Sequence, residues 1–279
     1  MVPVLAATGG SCRSTVASLL AHALAPAGQV AVFDLAPRLS SPWPGRFTTG
    51  DESPGLPGLD PMEPVSRTAV RAAGTRVVAD GDTSWHVLTD PRDWHATPLD
   101  LPEQPSAWYQ LAAIGGWQAV IADTHHPVGH DVVAARTLNR RGATREWFEL
   151  PHTVGVLTAA ATATGIQALQ QTVRVFQADG LPLDRTVVCL VSTSDRRPPP
   201  LVRATTAMLG THVPDVVHVP YDPAIRSQGL HRNTSLHPRT RAAGTRLASA
   251  VLRAAHAAWG EPLPDAPRPA PLPLSATTL

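Results

Sequence analysis

The residues with the clearest chemical potential lie near the start of the chain. Thr8-Gly9-Gly10-Ser11-Cys12-Arg13-Ser14-Thr15 follows a short apolar run and leads into a helical pattern. A glycine turn between a buried strand and a helix N-terminus aims backbone N–H groups into one concavity, and the helix dipole adds positive potential there. Such a turn suits phosphate oxygens. Ser14 supplies a hydroxyl of the kind that holds Mg2+ beside a bound phosphate, and Arg13 supplies a cation. Arginine grips phosphate through two donors but is bulky and planar, whereas lysine is a compact point charge. All 23 basic residues are arginine, so no lysine can serve here. Ala7 and Cys12 stand where the general pattern has glycine, and a Cβ costs energy wherever the backbone must turn left-handed. An ordinary tight turn with no ligand is the alternative reading of this segment alone.

Two carboxylates fall where they would complete such a site. Asp34 ends a second apolar run, as a water-orienting or second-shell Mg2+ carboxylate would. Asp123 ends a later run, Ala119–Asp123, where the metal-side carboxylate belongs. Each has a plainer reading as a strand-end cap. His125, His126 and His130 cluster just beyond. Three histidines can bind a metal, but adjacent ones do not readily face one ion, so a solvated or partner-facing loop is expected instead. Trp43 is read as either packed or facing a partner, while Trp85, Trp94, Trp108 and Trp117 are read as core or edge packing. Arg196, Arg197 and Arg203 form one basic group; Arg226, Arg232, Arg239, Arg241 and Arg246 form another, of the sort that neutralises nucleic-acid phosphates.

The elements that must position these groups follow from periodicity. Val2–Ala7 reads as a buried strand, and Val16, Leu19, Leu20, Ala23 and Leu24 recur at helical spacing until Pro26 and Gly28. Val30–Leu35 is a second buried strand, which completes a βαβ unit with a right-handed crossover. From Pro37 to about Pro64, Pro, Gly and Ser crowd into a long irregular surface excursion. Strands are expected at Thr75–Ala79, Trp85–Thr89, Val154–Leu157, Thr186–Val191 and Val216–Val219. Helices are expected near Val65–Ala73, Ser106–Ile114, Thr164–Ala178, Pro200–Leu209 and Arg239–Trp259. The alternation predicts an α/β architecture: a doubly wound, mostly parallel sheet of seven or eight strands with helices on both faces. One domain is expected over residues 1–260, with a Pro- and Ala-rich tail over 261–279 that is disordered or extended.

Composition excludes several classes. A chain of 279 residues can bury roughly 75% of its unfolded surface, so a large core needs no staples. With 43% hydrophobic and 16% charged residues it is not a charge-driven disordered chain. The net charge of +1 gives no whole-protein pull on nucleic acid or anionic lipid. Cys12 and Cys189 are too few for a disulfide framework, no apolar run approaches a membrane span, and no basic leader precedes Val2. A cytoplasmic location is the expectation.

Taken together, these motifs resemble the MinD/ParA family of P-loop ATPases over most of residues 2–258. The family's KGGxGK[ST] loop is matched by Thr8 through Thr15, its DxDP by Asp34-Leu35-Ala36-Pro37, and its DTPxG switch by Asp123-Thr124-His125-His126-Pro127-Val128-Gly129. Val219-Pro220-Tyr221-Asp222-Pro223 is similar to the family's VPYDP segment, which implies that Pro220 and Asp222 lie near an adenine base. The resemblance implies ATP held by Gly9, Gly10, Ser11, Cys12, Arg13, Ser14 and Thr15, Mg2+ held by Ser14 and, through water, by Asp34 and Asp123, and a catalytic role for Asp34. It also implies a nucleotide-dependent homodimer, a protein partner in division, partition or secretion, and DNA as a less favoured partner. The Pro-rich, nearly uncharged tail is not expected to act as MinD's basic membrane helix does. Two departures weigh against turnover. Thr8 replaces the signature lysine that crosses the dimer, and Ala36 replaces a carboxylate that positions the attacking water. Such cationic contacts can be worth about 10³–10⁵ in rate. The expectation is a nucleotide-binding switch with weak or lost hydrolysis. Its alternatives are a pseudo-NTPase scaffold without nucleotide and a metabolic synthetase of the same superfamily.

Overall fold

A computed structural model describes residues 1–46, 53–60, 64–78, 83–229 and 236–270. The strands are β1 (Val2–Ala6), β2 (Val30–Asp34), β3 (Thr75–Val78), β4 (Ser84–Leu88), β5 (Ala119–Pro127), β6 (Gly155–Ala160), β7 (Thr186–Val191) and β8 (Val216–Val219). They form one sheet in the order β3-β4-β2-β5-β1-β6-β7-β8, parallel throughout except for the antiparallel β3–β4 pair. The doubly wound, mostly parallel sheet expected from the alternation is therefore what the chain forms. β1, β2 and β7 are buried along their whole length, as parallel strands covered on both faces must be.

The helices are α1 (Arg13–Leu24), α2 (Arg67–Ala72), α3 (Pro105–Gly115), α4 (Val128–Thr137), α5 (Ala143–Glu149), α6 (Ala163–Ala178), α7 (Pro200–Leu209), α8 (Pro223–Gln228) and α9 (Pro238–Trp259). The alternation of strand side chains decides which helix meets which residue: Val4 points toward α1 and α9, and its neighbour Leu5 toward α4 to α7. Phe33 packs with Trp108 of α3 and with Trp117 on that second face. α4, α5 and α8 were not foreseen. α4 starts directly from β5 with a weakly amphipathic sequence, and the other two are about two turns long, so none carries a clear period.

α9 lays a stripe of small residues, among them Ala243, Gly244 and Ala248, against α1. A Cβ on Gly244 would stand 3.2 Å from the backbone oxygen of Leu19. This close approach fixes α1, whose N-terminus carries the glycine loop.

Trp43 takes the packed one of its two readings, and Trp94 departs from expectation. Trp43, within the proline-rich excursion, is fully buried, and the excursion is therefore part core. It enters the cluster beneath α1 and meets Trp85 edge to face at 6.0 Å. Trp94 is instead 77% exposed. The tail runs extended over residues 261–270, where the Tyr109 hydroxyl donates to the Pro267 carbonyl at 2.6 Å and Gln110 to that of Ala270. Arg232, part of the excursion and the end of the tail fall outside the described residues. Among the described residues no helix is long and apolar enough to cross a membrane.

Replacing Gly244 by Val forces three extra carbons, a Cβ and two methyls, into the α1–α9 contact. Urea unfolding should show a loss of about 1–3 kcal/mol.

Candidate functional site

The glycine loop is built by its backbone. Gly10 has φ +70° and Cys12 φ +60°, so both sit in the left-handed region before α1 begins at Arg13. Gly10 takes this conformation freely, and for Cys12 it costs roughly 1–2 kcal/mol. Cys12 thus holds a backbone conformation that glycine would take without strain. Its thiol lies against the core cluster and points at the Gly10 carbonyl, 3.9 Å away, and burial raises its pKa. Thr8 turns inward: its hydroxyl meets that of Ser11 at 3.0 Å, and Ser11 in turn donates to the Thr8 carbonyl. The position of the absent lysine is therefore a staple within the loop.

Among the described residues no acceptor takes a hydrogen bond from the backbone N–H groups of Gly9 through Thr15; the first bonded amide is that of Val16, on the Cys12 carbonyl at 3.0 Å. Gly9 and Gly10 are exposed and Ser11 is buried, so the loop opens to solvent at its glycines. Unpaired amides gathered at a helix N-terminus form an anion cradle.

Asp34 and Asp123 pair in register on adjacent strands, beside the loop. They are 2% and 3% exposed. Burial first, and the neighbouring Asp123 charge among lesser causes, raises the Asp34 pKa to about 7 despite hydrogen bonds that favour its charged form. Those bonds come from Ser41 at 2.7 Å and Thr89 at 2.6 Å, both on Oδ2, and from the Ala36 amide at 3.2 Å on Oδ1. Burial also raises the Asp123 pKa, against hydrogen bonds from Ser14 and Trp43 and the charge of Arg13. The indole Nε1 of Trp43 donates to Asp123 Oδ2 at 2.7 Å.

Arg13 reaches the far side of the site, where Nη1 donates to the His126 carbonyl at 3.2 Å. That carbonyl belongs to an unexpected extension of β5. β1 pairs Val4 with Asp123 but Ala6 with Pro127, so the intervening residues form a bulge, pinned by the Thr124 hydroxyl on the Val4 carbonyl at 2.8 Å. His126 turns in to Thr144, 3.1 Å away, and burial lowers its pKa to about 4, while His125 is exposed. Among the described residues no cluster of three histidine, cysteine or acidic side chains could hold a metal.

The structure thus brings Gly9 through Thr15, Asp34 and Asp123 to the C-terminal ends of the adjacent strands β1, β5 and β2. Pro220 and Asp222 follow β8, at the far edge of the sheet. The Asp222 carboxylate is spent on its own loop, accepting from the amides of Ala224 at 3.0 Å and His237 at 2.9 Å, which holds its pKa down. Trp43, Ser41 and Thr89 were missed as site residues because hydroxyls and an indole outside any motif carry no signal of their own.

A phosphate fits the cradle. A divalent metal does not fit the arrangement beside it: the Ser14 hydroxyl and Trp43 indole both bond Asp123, and Asp34 is ringed by two hydroxyls and an amide.

The raised pKa of Asp34 has a sign that can be checked. The native state holds its proton to about pH 7, whereas the unfolded chain releases it near about pH 4. Wild-type stability should therefore fall as pH rises from about 4 to 7, by up to roughly 1.4 kcal/mol per unit, and level off above. Asp34→Asn lacks this slope; urea unfolding across that range should show the variant gaining on the wild type with rising pH.

No protein-family model and no curated protein matches the sequence. Solved structures do match. The cell-division ATPase MinD of Pyrococcus furiosus is 18% identical, covering 90% of this chain and 98% of its own, with a TM-score of 0.52. A Cyanothece McdA variant in complex with ATP is 13% identical, covering 90% and 95%, with a TM-score of 0.51. The pNOB8 ParA bound to nonspecific DNA is 12% identical, covering 92% and 98%, with a TM-score of 0.53. At these identities the likeness concerns architecture, and the chain has the α/β fold of the MinD/ParA-like P-loop ATPases.

Proposed function

We propose that this protein is a nucleotide-binding switch of the MinD/ParA type with weak or lost hydrolysis, acting as a spatial or assembly regulator. The observation that carries the reading is the run of unpaired amides from Gly9 through Thr15, held open by left-handed Gly10 and Cys12 at the head of α1. Those donors, the α1 dipole and the Arg13 guanidinium would hold the phosphates of ATP or ADP. An ATP-bound McdA variant of the same fold supports this choice of ligand.

The chain's own groups favour binding over turnover. Hydrolysis needs a cation on the leaving phosphates and a group that orients water. Thr8 is folded back on Ser11, Ala36 has no carboxylate, and Asp34 already accepts bonds from Ser41, Thr89 and the Ala36 amide. A nucleotide-dependent homodimer would lack the lysine that crosses the interface in the family this chain resembles. A protein partner is best placed at Leu39 and Trp94, which are 76% and 77% exposed and flank a cavity of about 280 Å3 beside Asp34. DNA is the less favoured partner, through exposed Arg239, Arg241 and Arg246 on α9.

A second reading, a scaffold that has lost nucleotide, draws on Trp43 and Arg13, which bond to Asp123 and His126 within the site. Calorimetric titration with ATP and a non-hydrolysable analogue separates the two. The switch reading expects saturable binding, phosphate release near the uncatalysed background, and about tenfold or greater weakening in Arg13→Ala, the worth of a charge-assisted bond. No heat of binding at millimolar ligand would leave only the scaffold.

A further inference from the structure

We infer that Trp43 stands in for a metal-bound water at Asp123, so that the glycine loop takes its polyphosphate ligand without a divalent cation. This rests on the nucleotide reading above and specifies the ligand form at the same site: a metal-free nucleoside diphosphate or triphosphate.

A buried carboxylate beside a bound phosphate needs a donor on its outer oxygen. In a metal site, coordinated water donates that proton, and the metal's charge balances the phosphates. Here the donor is the Trp43 indole, 2.7 Å from Asp123 Oδ2. An indole N–H donates and never accepts, and it carries no charge. It satisfies the carboxylate as the water would while bringing no cation toward the phosphates. The positive charge available to them is then Arg13, aided by the free amides.

The placement of Trp43 is built. The ring is fully buried and meets Trp85 edge to face. Its backbone amide donates to the Ser41 hydroxyl at 3.0 Å, and that hydroxyl donates to Asp34 at 2.7 Å. One short segment, residues 41–43, therefore supplies a donor to each of the two carboxylates that a magnesium ion would use through water. Thr89 adds another to Asp34 from the end of β4. Admitting a metal-bound water at Asp123 would require the indole N–H to give up Oδ2.

The test is equilibrium binding of ADP to the full chain by calorimetry, once in EDTA and once in excess Mg2+, with Mn2+ water relaxation as a separate reading of metal capture. The wild type should bind ADP in EDTA at least as tightly as in Mg2+, and its ADP complex should not enhance Mn2+ relaxation beyond that of Mn2+–ADP alone. Trp43→Phe keeps most of the ring volume and removes the N–H; it should bind ADP about tenfold more tightly in Mg2+ than in EDTA and should gain Mn2+ enhancement. Wild-type binding that requires Mg2+, or a wild-type Mn2+ signal, overturns the inference while nucleotide binding stands. Absence of ADP binding in both media overturns the inference and the nucleotide reading together. The wild-type arms decide the matter even if the variant does not fold.

Discussion

Two buried carboxylates face each other across neighbouring strands, and the site is arranged around the cost of keeping them there. Parallel strands lie about 4.8 Å apart. Two full charges at on the order of 5 Å would repel by roughly 3 kcal/mol at an effective dielectric near 20, beyond the cost of removing each from water. The protein meets this asymmetrically. Asp34 keeps a proton to about pH 7 and is wrapped in hydroxyls, whereas Asp123 is set against Arg13, Ser14 and the Trp43 indole. The excursion after β2 is drawn into the core by this requirement, since it delivers both Ser41 and Trp43.

The glycine loop shows a different balance, between a lost side chain and a kept backbone. Thr8 closes on Ser11, which shortens the reach of a position that in the resembling family extends across a dimer. Cys12 accepts a left-handed conformation that glycine would take at no cost, and its thiol packs into the core. The part of the site made of amides depends chiefly on the path of the chain. Arg13, at the head of α1, joins the loop to the β5 extension through the His126 carbonyl, so that the two are mechanically one piece.

On the other side of Asp34, Arg38 ties the same excursion to the loop after β4. It pairs with Asp90 at 2.8 Å, with both side chains less than a tenth exposed, and donates to the carbonyls of Trp94 and Ala96. A buried pair of this kind costs desolvation and returns fixed geometry. Its effect is to hold Leu39 and Trp94 in solvent at the mouth of a cavity, next to the carboxylate whose protonation changes near neutrality. Asp34 and the two exposed side chains thus share one wall.

The sequence alone determined the architecture, because strand and helix periods are local properties of buried runs such as Val2–Ala6 and Thr186–Val191. It also determined that a glycine turn and two aspartates ending apolar runs share one end of a parallel sheet, since parallel strands deliver their C-terminal halves together. Helices α5 and α8 were illegible because about two turns offer too few residues for a period to stand out, and α4 because its sequence is only weakly amphipathic. Trp43 was illegible for a deeper reason. A tryptophan in a proline-rich stretch has no local signal for inside or outside, and its place was decided by a carboxylate eighty residues away that required a donor. Tertiary structure likewise decided that β5 runs on to Pro127, because pairing with β1 outweighed a loop-like string of Asp, His and Pro.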